Sequence, residues 1–181
     1  MKLQPGRWHM GVVVVDRSGN RVVALMERKP RTVLTYGTFD LFHVGHLNLL
    51  RRMRALGDRL VVGVSTDEFN ALKGKKTVVP FKDRFAIVQG VRYVDQVIAE
   101  NDWSQKASDI QSLGADVLGM GDDWEGKFDH LSGYCEVVYL PRTKDISSTE
   151  IKRVLSALDS EHVVELKAAL DIVSTIVRRF E

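Results

Sequence analysis

Apolar and polar positions change their period several times along the chain, and each change marks an element. Residues 12–15 and 22–25 are short β-branched runs flanking Asp16-Arg17-Ser18-Gly19-Asn20, a spacing that predicts a β-hairpin closed off by Pro30. Residues 32–36 form another such run. After a glycine-containing turn, Leu47, Leu50, Met53 and Leu56 recur at about the helical period, so a strand is expected to enter a helix that ends at Gly57. Arg59–Ser65 is almost continuously apolar, as in a parallel strand covered on both faces. A short helix at Asp67–Leu72 and a basic loop, Lys73-Gly74-Lys75-Lys76, come next. Pro80 suits the first turn of a helix that ends near Gly90. The pattern then predicts a strand over 94–99, a helix over 103–113 stopped by Gly114, a strand over 115–120 and a last strand at Glu136–Leu140. Ser147 with Glu150 fits a capping box for a final helix. From Asp159 onward Val163, Leu166, Leu170, Val173, Val177 and Phe180 alternate steps of three and four, a seam that suits packing on its own domain or on a partner subunit.

Strands alternating with helices at this spacing argue for an α/β fold: a Rossmann-like open parallel sheet with helices on both faces, over residues 31–155. An N-terminal hairpin extension (1–30) and a C-terminal helical extension (156–181) flank it. Composition adds exclusions. A chain of 181 residues that is 44% hydrophobic and 28% charged is an ordinary globular sequence. Its 26 basic and 24 acidic residues leave a formal charge of +2, too little to argue for nucleic acid or a membrane as partner. One cysteine, Cys135, permits no internal disulfide and fits a reducing compartment. No apolar run approaches a membrane span and the amino terminus lacks the apolar core of a signal peptide, so a cytoplasmic location is expected.

In an open α/β sheet, ligands sit beyond the carboxyl ends of the strands. The polar signatures of this chain follow strands. His43 and His46 flank Gly45 at a helix start, where unpaired N–H groups and the positive end of the helix dipole favour an anion, and Gly45 lets a phosphate approach the backbone. Zinc would require further ligands, yet His9, His130, His162 and Cys135 do not cluster with this pair in the sequence. Gly121-Asp122-Asp123-Trp124 follows a later strand, and residues 142–149 follow the last. Brought together, these groups would surround a polyanion such as a nucleoside triphosphate. The chain has neither G-x-x-x-x-G-K-[ST] nor G-x-G-x-x-G, so it is not a P-loop protein or an ordinary dinucleotide binder.

The H-x-G-H turn after Gly37-Thr38-Phe39-Asp40, with the terminal R-T-x-x-I-S-S-T stretch, resembles the nucleotidyltransferase superfamily that carries the HxGH signature. Residues 36–40, 65–70, 92–95, 120–129 and 136–143 are more narrowly similar to glycerol-3-phosphate cytidylyltransferases, over about residues 32–153. The resemblance implies transfer of CMP from CTP to sn-glycerol 3-phosphate, giving CDP-glycerol and pyrophosphate. It also implies a divalent metal, usually Mg2+, with no residue assigned to hold it, and a homodimer. By match to the motifs, His43 and His46 would donate to the triphosphate, and Lys75, with Lys73 as fallback, would be a mobile phosphate-binding lysine. Arg142, Thr143, Ser147 and Ser148 would hold the β- and γ-phosphates. Thr38 and Phe39 would line the nucleotide site, and Asp123 would meet the ribose or base. His43, His46, Lys75 and Arg142 are the residues expected to carry catalysis. Arg84, Arg92 and Lys106 match positions associated with the acceptor phosphate or subunit contacts, with a salt bridge to Asp95 the competing reading for Arg92. Trp103 and Trp124 are expected to pack in the core.

The family pattern has glycine where this chain has Asp145, and threonine where it has Ser148. The aspartate tolerates a left-handed backbone but adds a negative charge near a triphosphate if it points inward. Competing functions are transfer to another polyol phosphate, use of ATP, and a catalytically weak nucleotide-binding regulatory module.

Overall fold

The computed structural model describes residues 9–15, 18, 19, 21–27 and 29–177. The expected hairpin consists of β1 (His9–Val15) and β2 (Arg21–Glu27), antiparallel with Val13 opposite Val23. Asp16, Arg17 and Asn20 of its turn lie outside the described residues, as does Phe180. The main sheet has five strands in the order β5-β4-β3-β6-β7, all parallel: β3 (Thr32–Gly37), β4 (Arg59–Ser65), β5 (Gln96–Glu100), β6 (Val117–Gly121) and β7 (Glu136–Leu140). Strand order reverses at β3, which has β4 on one side and β6 on the other, so a crevice opens at the carboxyl end of this central strand.

Successive residues of the central strands face opposite sides of the sheet. Val33, Leu60, Val62, Val64 and Val117 belong to one core with Leu50 and Met53 of α1 (Val44–Arg54) and Val88 of α3 (Phe81–Gln89). Leu34, Val61, Leu118 and Met120 belong to a second core with Ile110 of α4 (Gln105–Leu113). Burial on both faces explains the unbroken apolar run of β4. Helix α1 lies close to the sheet at Gly119, where a Cβ would stand 2.2 Å from the Met53 sulfur.

Of the boundaries that differ from the sequence expectation, two have identifiable reasons. The strand expected over 94–99 begins at Gln96 because the Asp95 carboxylate accepts the Leu60 N–H and so edges the sheet with a side chain. The helix expected over 103–113 begins at Gln105, since Asp102 takes the N–H groups of Ser104 and Gln105 at its start. The expected boundary at 155/156 falls inside a helix. Helix α5 runs unbroken over Ser148–Val177, with no glycine or proline in that span. Its described residues between Arg153 and Ala168 are exposed, Val163 included. Among the described residues no helix is long and apolar enough to cross a membrane.

Candidate active site

The carboxyl ends of β3, β4, β5, β6 and β7 open into a cavity of about 440 Å³ that collects the chain-distant signatures. His43, His46, Lys75, Asp123, Arg142 and Ser147 all line it. Of the other expected site residues, Thr38, Phe39, Lys73, Lys106, Thr143 and Ser148 line it too.

The two histidines form the helix start themselves. His43 is the N-cap of α1 and its Nδ1 accepts the Gly45 N–H at 3.0 Å, while Nδ1 of His46, three residues on, faces the His43 N–H at 3.4 Å. A nitrogen that accepts carries no proton, so in both neutral rings the hydrogen resides on Nε2. The rings stack at 3.9 Å, with Phe39 edge-on to His46 at 5.4 Å. Burial lowers the His43 pKa, and burial together with the neighbouring His43 lowers that of His46 to about 4. Both are therefore neutral Nε2–H donors at physiological pH. Gly45 is required by this packing: a Cβ there would meet the His43 ring at 2.7 Å and Ile146 at 3.1 Å.

Ser147 caps α5, accepting the Glu150 N–H at 3.1 Å, and its own hydroxyl hydrogen is left for another acceptor. Ser148 differs, because its hydroxyl donates to the Asp40 carbonyl at 2.7 Å. The Arg142 guanidinium pairs with Asp123 at 2.5 Å, so residues expected at opposite ends of a nucleotide already touch.

On the cavity floor, Glu100 at the end of β5 is 3% exposed and stands between two lysines. Lys106 reaches one carboxylate oxygen at 2.5 Å, and Lys73 lies 3.7 Å from the other and donates to Ser65 Oγ at 2.9 Å. Burial lowers the Lys73 pKa; Glu100 opposes this and the Lys75 and Lys106 charges reinforce it, leaving it at about 8. The floor therefore keeps a net positive charge near neutral pH, which suits an anion. Lys106 also sits over the Tyr36 ring at 4.4 Å. Lys75 is exposed near Trp124, 5.7 Å from its ring centroid, and makes no ion pair among the described residues.

Several expectations need correction. Arg84 does not line the cavity: it is fully buried and donates to the carbonyls of Val79, Thr38 and Ser65 and to Asp67. A guanidinium so committed is a strut behind the site. Arg92 is exposed beside its neighbour Tyr93, away from the cavity, and Asp95 pairs with Arg54 instead. Trp103 is 47% exposed and lines the cavity with Trp124, whose ring lies 5.4 Å away; the core reading therefore fails for Trp103, while Trp124 both packs on the core and borders the cavity. Asp145 has φ of 61°, is exposed, and is not among the residues that line the cavity.

Asp145→Gly should leave activity equal or higher, since glycine adopts this backbone without the Cβ penalty, and should stabilise the fold by ~1 kcal/mol. Turnover and thermal midpoint check this together; a collapse of CTP turnover would give the aspartate a positive role.

Sequence reasoning assigned no role to Asp40, Glu100 or Lys152. Asp40 is 3% exposed and accepts the N–H groups of Val78 and Val79, each at 2.9 Å, with the Lys152 ammonium at 2.7 Å. Burial acts to raise its pKa, but Lys152 and those two N–H groups outweigh it and hold the carboxyl below the usual range. No local pattern could find a pairing between residues 112 positions apart.

The profile of the cytidylyltransferase-like family matches residues 34–180. The chain is 56% identical to glycerol-3-phosphate cytidylyltransferase of Bacillus subtilis (strain 168) over 128 residues, which are 71% of this chain and 99% of that protein. It is 50% identical to the protein of the same name from Staphylococcus aureus (strain NCTC 8325 / PS 47) over 131 residues, 72% of this chain and 99% of the relative. Among solved structures, a lipopolysaccharide core biosynthesis protein from Thermoplasma volcanium GSS1 shares the fold, with a TM-score of 0.56 at 24% identity over 64% of this chain and all of that one. Fold, cavity and these likenesses agree: the chain belongs to the cytidylyltransferase-like family, among the glycerol-3-phosphate cytidylyltransferases.

Proposed function

We propose that the protein transfers CMP from CTP to sn-glycerol 3-phosphate, releasing pyrophosphate and forming CDP-glycerol. The observation that carries this reading is the single cavity that joins the capped histidine pair, Arg142 and the start of α5 to a second, positively charged floor at Lys73 and Lys106. One anionic group fits each end. The triphosphate lies against the Nε2–H donors of His43 and His46, with Arg142 and Ser147 at the leaving pyrophosphate. The acceptor phosphate lies towards Lys106, and Lys75 is positioned to follow the phosphates as they separate.

A phosphomonoester with a second pKa of about 6 is largely a dianion at neutral pH, so its oxygen attacks the α-phosphorus without a protein base. The new phosphorus–oxygen bond forms as the bond to the pyrophosphate oxygen breaks, and the electron pair leaves with pyrophosphate. The protein contributes alignment and fixed donors where negative charge accumulates. Among the described residues no group of three or more His, Cys, Asp or Glu is placed to hold a metal ion. Magnesium is accordingly proposed to arrive with the triphosphate, chiefly on phosphate oxygens and water. A homodimer and a cytoplasmic location are proposed from the family resemblance and the single cysteine.

A nucleotide panel tests the assignment through pyrophosphate release. CTP with sn-glycerol 3-phosphate should exceed ATP, GTP and UTP by at least about a hundredfold, since a site that hydrogen-bonds a base edge rejects bases lacking the match. Preference for ATP, or for another polyol phosphate, would reassign the substrate. CTP binding without pyrophosphate release would make the protein a binding module.

A further inference from the structure

Residues 73–79 line one side of the cavity through Lys73, Lys75, Lys76 and Thr77, and they contain no helix or strand. Such a segment needs specific contacts to hold one conformation. At its start the Lys75 N–H reaches the Asn70 carbonyl at 2.8 Å, and Thr77 donates to Asp67 at 3.1 Å. Its far half is held at the Val79 carbonyl by Arg84, at 2.9 Å, and otherwise by a polar junction at Asp40. Val78 and Val79 donate their N–H groups to the Asp40 carboxylate, and the Lys152 ammonium binds that carboxylate and the Lys76 carbonyl, each at 2.7 Å. Asp40 is buried, and a buried carboxylate depends on the cation that neutralises it.

Lys152 stands about one turn beyond Ser147, Ser148 and Thr149 on α5, and Ser148 also reaches the Asp40 carbonyl. The helix start proposed to grip the terminal phosphates thus carries the cation that straps the lysine loop. We infer that Lys152 is a positioning residue for nucleotidyl transfer. Through Asp40 and the Lys76 carbonyl it holds the Lys75-bearing loop against the cavity, so that phosphate binding at α5 and ordering of this loop reinforce one another. This rests on the proposed function only in that the occupant is CTP; the strap is a property of the free protein.

Two readouts on Lys152→Met, which keeps most of the stem and removes the charge, decide the matter. Hydrogen exchange at the Val78 and Val79 amides of the free protein should quicken by about tenfold or more as the loop opens. The KM for CTP should rise about tenfold while kcat stays within about threefold, because the closed loop is populated less before binding. Lys152→Arg should restore most of both. Unchanged exchange with a raised KM would mean that Lys152 contacts phosphate directly, and would overturn the strap. Faster exchange with an unchanged KM, or a lowered thermal midpoint alone, would reduce it to a structural contact and overturn the inference as well. If the unaltered protein turned over no CTP, the functional proposal would fail while the exchange comparison still tested the strap.

Discussion

Replacing His46 with alanine is expected to lower CTP turnover by about two to four powers of ten, and His43→Ala should fall in the same range. Each ring presents Nε2–H because its Nδ1 is occupied by a backbone N–H at the start of α1. Removing a ring takes away a fixed donor that water cannot replace in the same orientation. His43→Asn separates the two duties of that residue, since asparagine can still cap the helix but has no atom at the Nε2 position. It should be as slow as His43→Ala yet nearly as stable as the parent, whereas the alanine variant also loses about 1 kcal/mol of capping. Near-normal turnover in the alanine variants would remove the proposed roles.

The same geometry fixes a pH dependence. The His46 pKa is depressed from 6.5 to about 4 in the folded protein, so between these values the unfolded chain binds the additional proton. Stability therefore rises with pH across that window, is complete above it, and is lost as pH falls towards 4. Turnover should not show an acid limb at the ordinary histidine pKa arising from this pair.

Arg84→Met is expected to destabilise the fold by about 3–5 kcal/mol, the usual cost of removing one partner from a buried, hydrogen-bonded charge network. The loss would leave the buried side of the Thr38, Ser65 and Val79 carbonyls without this donor and would release Asp67 from its cation. These residues come from the turn after β3, the end of β4 and the approaches to α2 (Asp67–Leu72) and α3, so the strut joins the segments that shape the cavity. Lysine should not rescue it, because one ammonium cannot reproduce a planar fork. Denaturant titration checks this against Arg92→Ala, which should change stability by less than about 0.5 kcal/mol, as expected for an exposed side chain away from the cavity. Equal stability of the two variants would refute the strut.

Much of this architecture was legible in the sequence, because burying a sheet on both faces leaves a local trace. The apolar run of β4 and the helical spacing of α1 are such traces; the capping of α1 by its own histidine rings was not foreseen. The hidden features depend on distance along the chain. Arg84 looks like any surface arginine on a short helix until the fold wraps three carbonyls around it. Trp103 reads as core by residue type, but it stands at the rim of a polar cavity next to Lys106. Glu100 between Lys73 and Lys106, and Asp40 between Lys152 and the loop amides, exist only once four segments meet at one sheet edge. Asp145 lay in between: its tolerance of a left-handed backbone was foreseeable, and its place outside the cavity lining was not.

The most direct measurement is mass-spectrometric identification of the products after incubation with CTP, magnesium and sn-glycerol 3-phosphate. One cavity that holds both anions should yield CDP-glycerol and pyrophosphate in equal amounts, with neither formed when the acceptor is omitted. Free CMP in place of CDP-glycerol, or unchanged CTP after prolonged incubation with folded protein, would contradict it.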